Sequence, residues 1–178
     1  NRRFLTRKLE ENIQRLRQEK GVVYFALIDL DHFKEVNDRL GHLCGDEILR
    51  RFGQTLKNSV GAAGLCGRWG GDEFFVIFPV DVTDPAAAET RIHGWTDAIL
   101  SAIKNDIVRE NIPVGISGGI AAVSGPDARL DAEQLMMDLD KLLYSAKREG
   151  RKRFVFGEFN RQGRRPHRRP AQFGQHRA

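Results

Sequence analysis

The stretch GRWGGDEFFVIFP, residues 67–79, constrains the fold more than any other part of the chain. Its paired glycines stand between two strand-like runs, the pattern of a tight hairpin. At least two strands must therefore be antiparallel neighbours. The tip carries Asp72 and Glu73 directly ahead of Phe74, Phe75, Val76, Ile77 and Phe78. Adjacent anions repel, and placing them against an apolar strand costs stability unless positive charge sits beside them. The rest of the chain must supply that charge.

Around the hairpin, strand and helix patterns alternate. Residues 4–17 set Leu5, Leu9, Ile13 and Leu16 on one helical face. VVYFALI, residues 22–28, is continuously apolar, as in a strand covered on both sides. Charge, a turn and a short helix are read between Asp29 and His42. A further helix is predicted to begin at Asp46, with acids in its first turn and Ile48, Leu49, Phe52 and Leu56 along its buried stripe. The hairpin strands are placed at 65–69 and 73–78, ended by Pro79. Residues 85–104 repeat Ile92, Trp95, Ile99 and Ile103 at helical spacing. IPVGISGGIAAVS reads as a strand loosened by its glycines. Leu135, Leu139, Leu142, Leu143 and Ala146 mark a helix capped near Gly150, and RFVFG is a last strand. Alternation with one hairpin predicts an α/β domain whose sheet is mixed or antiparallel.

A chain of 178 residues can bury a sizeable core in one domain with a tail. It has no apolar run of about 18 residues, and its opening, NRRFLTRKLEENIQ, is charged rather than leader-like. Cys44 and Cys66 lie in unlike contexts, which speaks for reduced thiols, a cytoplasmic setting and neither a disulfide framework nor a zinc site. The basic balance belongs to the end of the chain. Residues 158–178 hold six Arg and one Glu, a charge of +5 equal to that of the whole chain, so residues 1–157 are neutral. This Arg-, Gln-, Gly- and Pro-rich tail has almost nothing to bury and reads as disordered, which makes nucleic acid an unlikely partner for the body.

Several chemistries are excluded by missing motifs: a Gly-rich loop ending in Lys-Ser or Lys-Thr, a dinucleotide fingerprint, and a His-Glu-x-x-His pair. GISGG, Gly115 to Gly119, fits the G-x-S-x-G pattern of a hydrolase. That pattern needs a strand, a sharp turn and a helix. Here Ser117 is followed by more strand, and the only downstream histidines, His167 and His176, lie in the tail.

The stronger constellation has three parts. Asp29 ends a buried apolar strand, where a carboxylate must be paired or metal-bound. Asp72 and Glu73 sit at the hairpin tip. Neighbouring strands can bring Asp29 and Asp72 together as an oxygen-rich site suited to Mg²⁺ or Mn²⁺. Lys147 and Arg151 close a helix in AKREGRK, and Lys34 follows Asp29, so cations for a triphosphate are at hand. Taken singly, each part has an ordinary structural reading: a helix cap, a solvated helix end, a hairpin turn. Metal ligands and phosphate cations are needed jointly, and here they occur jointly.

Four blocks, NRRF, DLDHFKEVNDRLGHLCGDEIL, RWGGDEFFVIFP and LYSAKREGR, closely resemble, in the same order, those of the GGDEF domain of bacterial diguanylate cyclases. The resemblance covers residues 1–157. It implies a palm-like, nucleotidyl cyclase-like α/β fold with a five-stranded mixed or antiparallel sheet surrounded by helices. It also implies condensation of two GTP into cyclic di-GMP with release of two pyrophosphates, using two Mg²⁺ or Mn²⁺ ions per site.

Carried over by position, Asp29, the Leu30 carbonyl and Asp72 would hold metal, with Glu73 as a further acidic ligand. Asp72 or Glu73 would help deprotonate the attacking 3′-hydroxyl. Lys34 would stabilise phosphate charge, and Asn37 and Asp46 would recognise guanine with His42 beside the nucleotide. Lys147 and Arg151 would bind the triphosphate. The family works as a homodimer of domains, usually driven by an N-terminal sensory or dimerising region. That region is expected to be missing here, the chain being the cytoplasmic piece of a larger and even membrane-bound protein. The Arg-x-x-Asp inhibitory product site of many members falls on Gly61 and Gly64 in GAAG, Lys152 replaces the usual Asn after Gly-Arg, and SGGIA replaces a more β-branched strand. The alternative function is a non-catalytic GTP-binding regulatory module.

Overall fold

The computed structural model describes residues 1–18, 21–62, 64–80, 85–104, 114–124 and 130–159. The elements run α1 (Arg2–Gln18), β1 (Val22–Asp31), α2 (Phe33–Leu40), α3 (His42–Val60), β2 (Leu65–Gly70), β3 (Glu73–Val80), α4 (Pro85–Ala102), β4 (Gly115–Ser124), α5 (Ala132–Arg148) and β5 (Phe154–Phe159). The strands form one sheet in the order β2-β3-β1-β4-β5. The β2–β3, β3–β1 and β1–β4 pairs are antiparallel and β4–β5 is parallel, so the sheet is mixed, as the sequence predicts.

The continuously apolar β1 suits the middle of the sheet, where a strand is covered on both faces. Its alternate residues divide two cores. Val23, Phe25 and Leu27 pack with Phe75, Ile77, Ala121 and Val123 beneath α1 and α5, which contribute Leu5, Leu9, Ile13, Leu135, Leu139 and Leu143. Tyr24, Ala26, Ile28 and Leu30 pack with Phe74, Val76 and Phe78 beneath α2, α3 and α4. The two-residue side-chain period therefore places Asp29 and Asp31 on the α1/α5 face.

Four boundaries differ from the sequence reading. β1 continues through Leu30 to Asp31, because β4 pairs with it as far as Asp31↔Gly115. α3 starts at His42, one turn before Asp46, straight after Gly41 at φ 80°. Asp46 therefore lies inside the helix, and the first turn holds no acid. β3 runs through Pro79 to Val80, paired with β1 throughout. β5 carries on through Phe159, two residues beyond the compositional boundary at 157, and residues 160–178 lie outside the described residues, as do 112 and 113 of the expected strand.

The glycines of β4 have a packing cause. A Cβ on Gly119 would lie 2.6 Å from the Leu139 carbonyl oxygen, 2.6 Å from Leu142 Cβ and 2.7 Å from the Leu143 nitrogen. A bare backbone there lets α5 settle against the sheet. α5 is capped at its start by Asp131 accepting from the Gln134 N–H at 2.7 Å and is followed by Gly150, φ 109°, with the Arg151 N–H bonded to the Ala146 carbonyl at 3.0 Å. Its length and depth are thus fixed at both ends and in the middle.

Gly119→Val should lower the unfolding free energy by about 1–3 kcal/mol or more, read from urea melts, because the obstruction is helix backbone. Gly94→Ala, in α4 with nothing near its added methyl, should instead raise it by about 0.5–1 kcal/mol.

Candidate active site

The hairpin turn is built by Gly70 pairing with Glu73 across Gly71 and Asp72. Gly71 has φ 53°, and the first central position of such a two-residue turn needs that sign. Arg68 Nε donates to the Gly71 carbonyl at 2.7 Å and braces the turn. The Leu30 N–H donates to the Asp72 carbonyl at 3.3 Å, tying the tip to β1, while the β1–β3 register sets Asp29 opposite Glu73. A strand end and a hairpin tip thereby bring Asp29, Asp72 and Glu73 to one place.

The positive charge demanded by these anions comes from α5. Lys147 Nζ lies 2.8 Å from Asp29 Oδ1. Asp29 is only 7% exposed, and burial pushes its carboxyl above the ordinary range; Asp72 and Asp31 push the same way, and Lys147 partly offsets them. Glu73 is also raised, first by burial and then by Asp29, Asp140 and Asp72. The lysine neutralises only part of the cluster. A site that still holds its carboxylates above their usual pKa is one that a further cation stabilises.

The remaining expected residues lie on α2, on α3 and just past α5. Lys34 is exposed in the first turn of α2, and His42 is the exposed first residue of α3. Asn37 is half-buried, its amide pressed against α3 at Gly45, where any side chain would collide with it. Asp46, the next residue, is exposed and lines an open cleft of about 480 Å³ between α3 and β2 with Leu49, Arg50, Gly53, Arg68 and Phe74. Asn37 is not among that cleft's lining. Arg151 is exposed just past α5. A larger open cleft of about 720 Å³, between α1 and the start of α5, includes none of these residues. Carboxylate chemistry locates the site; cavity size does not.

Three contributors were missed in the sequence. Gly45 admits the Asn37 amide, Gly119 seats the helix that carries Lys147, and Asp31 is buried at 1% exposure two residues after Asp29. The signal for Asp31 was present, because alternate residues of a strand share a face. Ser117 has no hydrolytic setting: it lies in the interior of β4 and donates to Asp31.

Among the described residues no three His, Cys, Asp or Glu side chains are gathered tightly enough to chelate an ion unaided. That suits Mg²⁺, which keeps waters and is commonly held by one or two carboxylates plus substrate phosphates. The all-oxygen set of Asp29, Asp72 and Glu73 fits such an ion.

The family model described as "Diguanylate cyclase, GGDEF domain" matches residues 1–153. The chain belongs to the GGDEF family. It is 34% identical over 154 residues to diguanylate cyclase DgcS of Shewanella oneidensis, covering 85% of this chain and 48% of that protein. It is 35% identical over 156 residues to response regulator PleD of Caulobacter vibrioides, covering 87% and 34%. The chain thus spans about half or less of these relatives. In structure it is similar to the GGDEF domain of YfiN (TpbB) from Pseudomonas aeruginosa, with a TM-score of 0.75, 28% identity and coverage of 90% and 97%. The active GGEEF domain of a diguanylate cyclase from Vibrio cholerae gives a TM-score of 0.73 at 26% identity, covering 90% and 97%. The five-stranded palm-like GGDEF fold is therefore the fold of this chain. No described helix is long and apolar enough to cross a membrane.

The raised carboxyls fix the sign of a pH effect. Asp29 and Glu73 bind protons more tightly folded than unfolded, so their contribution to stability is full below about pH 4 and is lost as pH rises through their folded values. Relative to an Asp29→Asn/Glu73→Gln variant, the metal-free protein should lose melting temperature as pH is raised from 4 to about 7. Added Mg²⁺ should remove the loss at the upper end.

Proposed function

We propose that this GGDEF domain condenses two GTP into cyclic di-GMP, releasing two pyrophosphates, with two domains face to face. The observation that carries this reading is the placement of Asp29 opposite Glu73, with the Asp72 backbone bonded to Leu30 and Lys147 on Asp29. Bound Mg²⁺ or Mn²⁺, two per site, held by Asp29, the Leu30 carbonyl, Asp72 and Glu73, would supply charge neutralisation and an acidified hydroxyl. Asp72 or Glu73 accepts the proton of the attacking 3′-hydroxyl, and the partner domain presents the α-phosphate. Asn37 and Asp46 read the donor-rich edge of guanine, with His42 beside the base. Lys34, Lys147 and Arg151 meet the phosphates. Lys147 exchanges the Asp29 carboxylate for phosphate oxygen as nucleotide arrives, which keeps Asp29 from being left buried and uncompensated before that point. The natural protein would bring the domains together through an N-terminal region and act in the cytoplasm. The complete acidic set favours this reading over a regulatory module that only binds GTP.

Feedback is another matter. Gly61 caps α3 at φ 68° and ψ −166°, a region open essentially to glycine alone. A Cβ on Gly64 would strike the Val60 side chain and approach the Ile77 carbonyl to 3.1 Å. An Arg-x-x-Asp pair cannot occupy these positions without rebuilding the turn.

Fused to a dimeriser and given GTP with Mg²⁺, the chain should form cyclic di-GMP. Asp72→Ala should cut the rate by about a hundredfold or more while GTP still binds, as expected for loss of a transition-state contact. Bound GTP with no product at high protein concentration would overturn the reading. Added cyclic di-GMP should leave the rate unchanged, and Gly61→Arg/Gly64→Asp should lower stability without creating product inhibition.

A further inference from the structure

Asp31 is buried at 1% exposure beside a functional carboxylate, yet nothing in the proposed chemistry uses it. Its Oδ1 accepts from Ser117 Oγ at 2.7 Å, and its Oδ2 accepts from the Lys152 backbone N–H at 3.1 Å. Ser117 is fully buried in β4, diagonal to Asp31 across the β1–β4 ladder. The carboxylate is thereby held rigid from one side and reaches the segment after α5 with the other.

That segment is strained. The non-glycine residues of positive φ among the described residues are His32 at 60°, Arg151 at 62° and Lys152 at 50°. All three adjoin Asp31: one follows it in the chain, Lys152 donates to it, and Arg151 precedes Lys152. Consecutive left-handed residues with side chains persist only where their surroundings over-determine them. Here the surroundings are three backbone anchors in a row. The Arg151 N–H bonds to the Ala146 carbonyl, the Lys152 N–H to Asp31, and the Arg153 carbonyl accepts from the Gly118 N–H at 2.9 Å. The Lys152 stem lies over Gly115, where an added Cβ would come within 2.7 Å of it.

We infer that Asp31, oriented by Ser117, is a positioning residue that locks the Arg151–Lys152 turn so that the Arg151 guanidinium is presented to the β- and γ-phosphates of GTP. The inference rests on the proposed GTP-binding role of Arg151. Asp31 touches neither nucleotide nor metal; it holds the backbone from which the arginine projects.

The test measures binding of GTP and of GMP, each with Mg²⁺, to the whole chain by calorimetry. GMP keeps guanine and the α-phosphate but lacks the outer phosphates. Arg151→Ala should weaken GTP and spare GMP. Asp31→Ala should do the same, by about tenfold for GTP, the size of one lost charge-assisted contact. Asp31→Asn keeps an acceptor for the Lys152 N–H and should stay within about twofold of the parent. Should Asp31→Ala fail to fold, Ser117→Ala, which only frees the carboxylate to turn, should give a smaller loss confined to GTP. A GTP affinity unmoved by the folded Asp31 or Ser117 variant, with Arg151→Ala still weakened, would overturn the positioning role alone. Equal weakening of GTP and GMP would also overturn it, by making Asp31 a general support of the fold. No effect of Arg151→Ala would remove the triphosphate role and the inference with it.

Discussion

The 2.8 Å ion pair between Lys147 and Asp29 is the point on which the rest of the structure converges. A carboxylate at 7% exposure, opposite one acid and beside another, is tolerable only with a cation against it. The middle strand must carry Asp29 near its C-terminal end, the hairpin must deliver Asp72 and Glu73, and α5 must come close enough for its penultimate residue to arrive. That closeness is set two turns earlier, where Gly119 lets helix backbone lie on strand backbone. The same ammonium that steadies the cluster is one that phosphate oxygen can claim. The ligand-free domain and its nucleotide complex would then share one lysine between two anions.

A second layer of support lies one residue pair further along β1. Asp31 binds no ion in the proposed chemistry and spends both its oxygens on holding chain, one through Ser117 and one through Lys152. Left-handed conformations at Arg151 and Lys152 cost roughly 1–2 kcal/mol each. The family's usual Asn, which tolerates such geometry, is replaced by Lys152. The buried acceptor offsets that cost at the spot where Arg151, the arginine proposed to meet phosphate, leaves the backbone.

Much of this was legible in the sequence because periodicity and turn chemistry are local. The apolar β1, the Gly-Gly hairpin and the helical stripes of α1, α3, α4 and α5 all appear where spacing places them. The errors came from non-local terms. β1 runs on through Asp31 because β4 pairs with it there, against the polar look of DLD. The start of α3 is a local exception: it begins at His42, straight after Gly41 at φ 80°, and not at Asp46. The role of Gly45 and the partnership of Ser117 with Asp31 depend on contacts between distant segments, and no spacing rule reveals those. The feedback positions show the reverse: Gly61 and Gly64 were read as missing side chains, and the structure adds that backbone geometry and packing exclude them.

The most direct measurement is a crystal structure of the domain with Mn²⁺ and a non-hydrolysable GTP analogue, using the anomalous signal of the metal. The expected result is Mn²⁺ between Asp29 and Asp72, with Lys147 Nζ moved from Asp29 to phosphate oxygen. Nucleotide bound with Lys147 still on Asp29 and the metal held elsewhere would contradict it.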